Sequence, residues 1–341
     1  MFKFNLQHFA AGDNVHTTSG MASNSGGNIA PYGEGGGLSA EMKTYYSDYL
    51  IDMAEPKLVH DQFGQKQPIP KNNGKVIEFR KYDPLPKALT PLTEGVTPDG
   101  QSLNVKTVTA EVKQYGGYIE LSDVLMLAAI DNNLIQATKL LGGQAGRTLD
   151  TIVREVLNGG TNVQYAEGQV ESRSALVGGQ AEGNHYLTVD AVRKAVRTLK
   201  RQNAETINGS FVGIIHPDAA YDLMSDPKWV NVKTYSDPEG IYQGEIGKIE
   251  NVRFVESSEA KIFEGEGAGG VDVYSTLILG DNAYGTTELS GGGLSHIVKQ
   301  LGSAGTADPL NQRATAGWKA TKAAVRLVEP YMVRIETAAS N

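Results

Sequence analysis

Gly265, Gly267 and Gly270 spell G-x-G-x-x-G, the spacing that cradles a dinucleotide pyrophosphate at a helix N-terminus. That chemistry needs a strand before the glycines and a helix after them. Here they precede VDVYSTLIL, itself strand-like, so the stretch reads as a hairpin loop. GGQAGRT at 142–148 is too short for a phosphate loop, has Arg147 where a lysine is needed, and lies inside a helical pattern. The six histidines, His8, His16, His60, His185, His216 and His296, stand singly, without the short spacings of metal sites. His216, in IIHPD beside Asp218, ends an apolar strand, a place that suits a catalytic group or, more commonly, a packed or capping one. No G-x-S-x-G occurs, and with no cysteine there is no disulfide, thiolate site or cysteine nucleophile. Asn208-Gly-Ser is a formal glycosylation sequon without an export signal to give it meaning. No catalytic residue, metal or cofactor is expected.

One charge cluster remains. Arg193, Lys194, Arg197, Lys200 and Arg201 share a stretch of helical periodicity. Such a face can meet phosphate or an acidic neighbouring subunit, or simply be the solvated side of an amphipathic helix.

The composition sets the frame for these residues. At 341 residues the chain suffices for one large or two ordinary domains, with 40% hydrophobic and 21% charged residues. Its net charge of −8 argues against general affinity for nucleic acid. The 40 glycines concentrate at 20–37, 265–270 and 291–293, as befits arms and loops. At the N-terminus Gln7 and His8 interrupt the apolar run that a secretory signal requires. The longest apolar run, Val124–Ile130, is far short of the ~20 residues that span a bilayer.

The elements follow from periodicity. Residues 1–40 read as an arm, with Phe2, Phe4 and Phe9 as possible anchors. A helical pattern follows from Ser39, interrupted by Pro56. KVIEFRKY alternates Ile77 and Phe79 against Glu78 and Arg80, as a strand does. About twenty Pro- and Gly-marked residues then lead to a second strand-like run, giving a long hairpin arm. In that run Leu103 and Val105 alternate out of phase with Val108, Ala110 and Val112, which predicts a β-bulge near Lys106–Thr107. DVLMLAAI reads as a short helix, and Leu134, Thr138, Leu141, Ala145, Leu149, Ile152 and Val156 predict a rod-like helix ending at Gly159–Gly160. Residues 161–187 read as a hairpin or loop. Beyond them come a helix capped by Thr188, the buried strand FVGII, a helix after His216, and several further strands. The class is α+β with a mixed sheet.

An isolated hairpin is marginal in water, so the arm needs something to lie on. The order of arm, long hairpin, long helix and compact α+β region resembles the major capsid proteins of tailed bacteriophages, with the Hong Kong-phage type of fold. The local sequence is similar to the family named after phage N-four. The likeness is carried by PLTEGVTPDG, VTAEVKQYGGYIELSD, REVLNGGTNV, GSFVGIIHPDAAYDL, YQGEIGKIENVRFVES and DPLNQRATAGWKATKAAVRLVEPYMVRIET, in that order. FNLQHFA also resembles the leaders of structural proteins from phages of Gram-positive hosts.

The resemblance implies an N-terminal arm and first helix over 1–73 and an E-loop over 74–121. It implies a P-domain over 122–187 and 294–330, with its spine helix at about 132–160, and an A-domain over 188–293 and 331–341. The E-loop would lie across a neighbouring subunit, so the arm's missing partner is another copy of the chain. Contact residues expected on these grounds are Phe4 and Phe9 in the N-arm and Tyr82, Leu92 and Glu94 in the E-loop, with Arg193 and Arg197 on the basic helix. The implied function is a non-enzymatic major capsid subunit that forms the pentamers and hexamers of an icosahedral head around double-stranded DNA. The implied partners are further copies, a separate scaffolding protein, portal and decoration proteins, and weakly held DNA, with no membrane. The place implied is the virion capsid, assembled in the host cytoplasm. The alternatives are an encapsulin-like compartment and a monomeric hydrolase or ligand-binding protein.

Overall fold

The computed structural model describes residues 50, 58–69, 75–82, 85–92, 94–95, 97, 100–123, 133–166, 170–178, 185–229, 245–288, 294–303 and 308–340. Its strands begin with β1 (Gln65–Gln67), β2 (Val76–Tyr82), β3 (Val105–Glu111) and β4 (Lys113–Ser122). Helix α1 (Asn133–Asn158), β5 (Val163–Tyr165) and α2 (Val189–Arg201) follow. β6 (Phe211–Ile215) leads into α3 (Pro217–Ser225), and then come β7 (Glu245–Ile249), β8 (Val252–Glu256), β9 (Ile262–Phe263), β10 (Val273–Leu279) and β11 (Tyr284–Thr287). β12 (Leu294–Lys299), β13 (Arg313–Lys322), β14 (Ala324–Arg326) and β15 (Met332–Thr337) complete the order.

The chain divides into two compact units, and the division falls inside α1. The first comprises residues 1–55, 115–146 and 294–320. Its sheet has the order β12-β13-β4, with β12 and β13 antiparallel from Leu294↔Ala320 to Lys299↔Thr315. One face of β13 is a row of small side chains and one large one, since Ala314, Ala316, Trp318 and Ala320 are all buried. The first half of α1 buries Ala137, Thr138, Leu141 and Ala145 in the same unit. Trp318 Nε1 donates to Gln144 Oε1 at 3.0 Å, which ties helix to sheet. Gly117 sits under that bond, and a Cβ there would come within 2.6 Å of the Gln144 oxygen.

The second unit comprises residues 56–114, 147–293 and 321–341. At its centre is a seven-stranded mixed sheet of order β5-β15-β10-β6-β8-β7, with β9 added on β10. β6 runs parallel to β8 and antiparallel to β10, and β15 runs antiparallel to β10 and parallel to β5. Every residue of FVGII is buried, as a strand covered on both faces must be. One face packs on α2 and α3 through Phe211, Ile215, Phe254, Ile278 and Val333. The other packs on the second half of α1 through Val153 and Leu157, with Val212, Ile214, Leu277 and Tyr284. Thr188 caps α2 by accepting the Ala191 amide at 3.2 Å.

Several ionisable side chains are buried inside this unit, Asp61, Asp150 and Lys322 among them. Lys322 donates to Asp61 Oδ1 and, at 2.8 Å, to the Thr287 carbonyl. Asp150 of α1 accepts both the His60 amide and the His60 ring at 2.7 Å. Burial pushes the Lys322 ammonium below its ordinary value, and Asp61 opposes that shift.

Three expectations change against the structure. The β2/β3 ladder is regular through all seven pairs, without a bulge at Lys106–Thr107. The break falls at Val112 instead, between β3 and β4, and the phase difference arises because Leu103 and Val105 are exposed rather than packed. Within 161–187, Val163–Tyr165 forms a strand whose partner is β15. The helical pattern from Ser39 falls mostly outside the described residues; Leu50 is helical, whereas residues 58–63 are not and form a turn over 60–63. DVLMLAAI beyond Asp123 also falls outside them.

Candidate assembly surface

The hairpin arm is anchored at its root. β2 and β3 pair antiparallel from Val76↔Glu111 to Tyr82↔Val105, seven residues or ~23 Å of strand. Alternation puts Ile77, Phe79 and Ala110 on one face, where they pack with Ala323, Leu327 and Val328. Phe79 is wholly buried, and its ring fills the space a side chain at Gly285 would need, 2.3 Å from the position of a Cβ there. The opposite face, with Glu78 and Arg80, is exposed.

Beyond Tyr82 the described residues from Leu85 to Asn104 are all exposed. Leu85, Leu89, Leu92 and Leu103 are 54%, 82%, 78% and 64% accessible. Single exposed leucines are ordinary on a protein surface, but these four on one loop have no cover among the described residues. The loop is held locally by the Leu89 amide on the Lys87 carbonyl at 3.1 Å and by a turn with Gly95 at φ +76°. Leu92 and Glu94 are both on this exposed loop, and Tyr82 closes the ladder opposite Val105. Phe4 and Phe9 lie outside the described residues.

Arg193 and Arg197 are brought together on the exposed side of α2. Arg193 is engaged within its own unit by Asp190 at 3.0 Å and Glu250 at 2.7 Å. The three further leucines of the arm were not among the expected contacts. Their signal in the sequence is leucine repeated in a stretch whose prolines forbid helix and whose length forbids a tight turn.

The catalytic alternative meets a different geometry. His216 Nδ1 accepts the Asp218 amide at 3.3 Å, so the side chain caps α3, and its ring lies 5.1 Å from that of Tyr274. Burial lowers the imidazole pKa, while the Asp218 and Glu256 carboxylates oppose the shift. Tyr274 is pushed up to about 12 by burial and by its bond to Asp218, so it stays a neutral hydroxyl at neutral pH. Gly265, Gly269 and Gly270 have φ of +64°, +70° and +82° in the connection from β9 to β10. They shape a turn between strands, where no helix N-terminus meets a phosphate. Among the described residues no group of three or more acidic or histidine side chains is placed to hold a metal ion.

A family model described as phage capsid protein matches residues 105–333, two thirds of the chain. The chain belongs to the phage capsid protein family. Among solved structures this capsid protein is similar to the capsid of the cyanophage P-SCSP1u, with TM-score 0.59 and 14% identity over 83% of this chain and 89% of that one. It is similar to the capsid of Ralstonia phage GP4, with TM-score 0.60 and 14% identity over 82% and 87% of the two chains. It is also similar to the capsid of the cyanophage Pam1, with TM-score 0.58 and 15% identity over 81% and 89%. No curated protein matches the chain. The fold is that of tailed-phage capsids, as the resemblance in the sequence implied. Family membership makes this a structural protein of the phage shell rather than an enzyme, and it favours a phage head over a cellular compartment.

Proposed function

We propose that this capsid protein builds an icosahedral head from pentamers and hexamers, and that its hairpin arm is the E-loop that joins neighbouring copies. The observation that carries this is the contrast along the arm. The root is locked into a core by Phe79, while the tip holds four exposed leucines. A rigid root with an uncovered apolar tip is built to reach another molecule, and in a closed shell each copy supplies the surface that its neighbour's arm lacks. Tyr82, Leu92 and Glu94 would then lie in or beside that contact.

In this reading residues 74–121 are the E-loop and 122–187 with 294–330 the P-domain, with α1 as its spine. Residues 188–293 with 331–341 form the A-domain, and 1–73 are an N-terminal arm and first helix whose Phe4 and Phe9 clamp adjacent copies. The six motifs of the sequence support a place in the branch named after phage N-four. Scaffolding, portal and decoration proteins would be its further partners. Assembly would take place in the host cytoplasm around DNA held only weakly, in keeping with a net charge of −8.

The arm is tested by replacing Leu89 and Leu92 with serine and co-expressing the chain with its neighbouring genes. Both leucines are exposed, so unfolding of the unassembled subunit should change by no more than about 0.5 kcal/mol. Closed particles should be lost or greatly reduced. Wild-type numbers of normal particles would contradict the proposal.

A further inference from the structure

Helix α2 buries Val189, Ala191, Val192, Ala195, Val196 and Leu199. Its exposed side carries Arg193, Lys194, Arg197, Lys200 and Arg201 against the single acid Asp190. That is a net charge of +4 on thirteen residues of a chain whose total is −8, so the remainder carries −12. Arg193, Arg197 and Arg201 repeat at i,i+4, and such like-charge neighbours oppose helix formation unless something neutralises them. Arg193 has Asp190 and Glu250. Among the described residues no ion pair engages Lys194, Arg197, Lys200 or Arg201.

The far end of the same sheet has the opposite charge. Residues 256–272 hold Glu256, Glu259, Glu264, Glu266 and Asp272 against Lys261, a net charge of −4. Glu264, Glu266 and Asp272 are exposed; Arg173 engages Glu266, and Glu155 engages Lys261. The hydrogen bonds fix the two positions. The Ala204 amide bonds to the Leu199 carbonyl, and the Asp281 amide to that of Glu205. The end of α2 therefore lies where β10 finishes and β6 starts, since Leu279 pairs with Val212. Arg193 also reaches Glu250, in the turn that opens β8. Glu256, by contrast, stands beside Ile215, the last residue of β6. Five strand residues, ~16 Å, separate the two ends, twice the screening length at physiological salt.

We propose that the cationic face of α2 docks against segment 256–272 of an adjacent copy, so that subunits of a capsomer meet head to tail. This rests on the reading of the chain as a ring-forming shell subunit. Opposite charges held about 16 Å apart at the two ends of one sheet neutralise each other only weakly within a molecule. In a head-to-tail ring every copy offers one end and receives the other, which is how heterologous contacts close. Such charge matching steers association and excludes wrong orientations.

The test is a charge swap in the full chain, co-expressed with its neighbouring genes and scored by particle yield in sedimentation and electron microscopy. Arg197→Glu with Lys200→Glu should lower the yield about tenfold or more, and so should Glu259→Lys with Glu264→Lys. The chain carrying all four changes should recover much of it. The milder Arg197→Gln with Lys200→Gln chain should fall between, and unchanged melting of the unassembled subunits shows that folding is intact. Wild-type yield from the Arg197→Glu, Lys200→Glu chain would overturn the inference. So would a four-fold variant no better than either pair, or normal shells that have lost only their DNA, which would assign the face to a polynucleotide. Failure of the wild-type chain itself to form shells would instead remove the shell reading on which the inference stands.

Discussion

The ring of Phe79 occupies the space that a side chain at Gly285 would fill, and this contact joins the hairpin arm to the strand beneath it. Phe79 is completely buried and paired in register with Val108, so it has little room to retreat. Gly285→Ala should therefore destabilise the unassembled subunit by about 1–3 kcal/mol, the range for overpacking a core. Phe79→Ala should cost about 3–5 kcal/mol through the cavity it leaves. Urea unfolding measures both. A neutral Gly285→Ala would show that the arm root is looser than the packing implies.

Lys322 and Asp61 form an ion pair with almost no exposure to solvent, its members 261 positions apart in sequence. Removing one partner leaves a buried charge alone, so Asp61→Asn or Lys322→Met should each cost about 3–5 kcal/mol. The double change to apolar residues of similar volume should cost much less than the two single costs combined. The same unfolding measurements decide it, and additive single and double effects would mean that the charges do not depend on one another.

His216 makes stability depend on pH in a defined direction. Burial holds its folded pKa below the ordinary value of about 6.5, and its cap on α3 requires a lone pair on Nδ1. Between the folded value and about 6.5 the unfolded chain binds the extra proton, so stability is full above that window and is lost as the pH falls through it. His216→Asn keeps a capping side chain without the titration. It should flatten the loss of stability between about pH 7 and 5. Identical pH profiles for the two proteins would remove this role.

Much of the architecture was legible because its signals are local. Thr138, Leu141, Ala145 and Leu149 recur at helical spacing and are buried along α1. Thr188 announces α2 and accepts its capping bond. FVGII reads as a strand covered on both faces and is one. What escaped depends on partners distant in sequence. Val163–Tyr165 becomes a strand only because β15, some 170 residues later, lies alongside it. Lys322 and Asp61 look like surface charges until the fold encloses both. Leu103 and Val105 mimic a bulge because a strand pattern cannot say which face is covered.

The arm's surface was legible only in outline. Leu92 was marked by its place in a family motif, whereas Leu85 and Leu89 stand out only through exposure, which a sequence does not display. The long loop between two alternating strands was the readable part, whereas the cover that β2 and β3 find on Ala323, Leu327 and Val328 of the same chain, more than 200 residues on, was not.

The most direct test is electron cryo-microscopy of the particles formed when the chain is expressed with its neighbouring genes, following residues 83–104 through the density. The account predicts closed shells in which each arm leaves its own subunit and lays Leu85, Leu89, Leu92 and Leu103 on a neighbouring copy. Arms folded back on their own subunits, or compact monomers as the sole product, would contradict it.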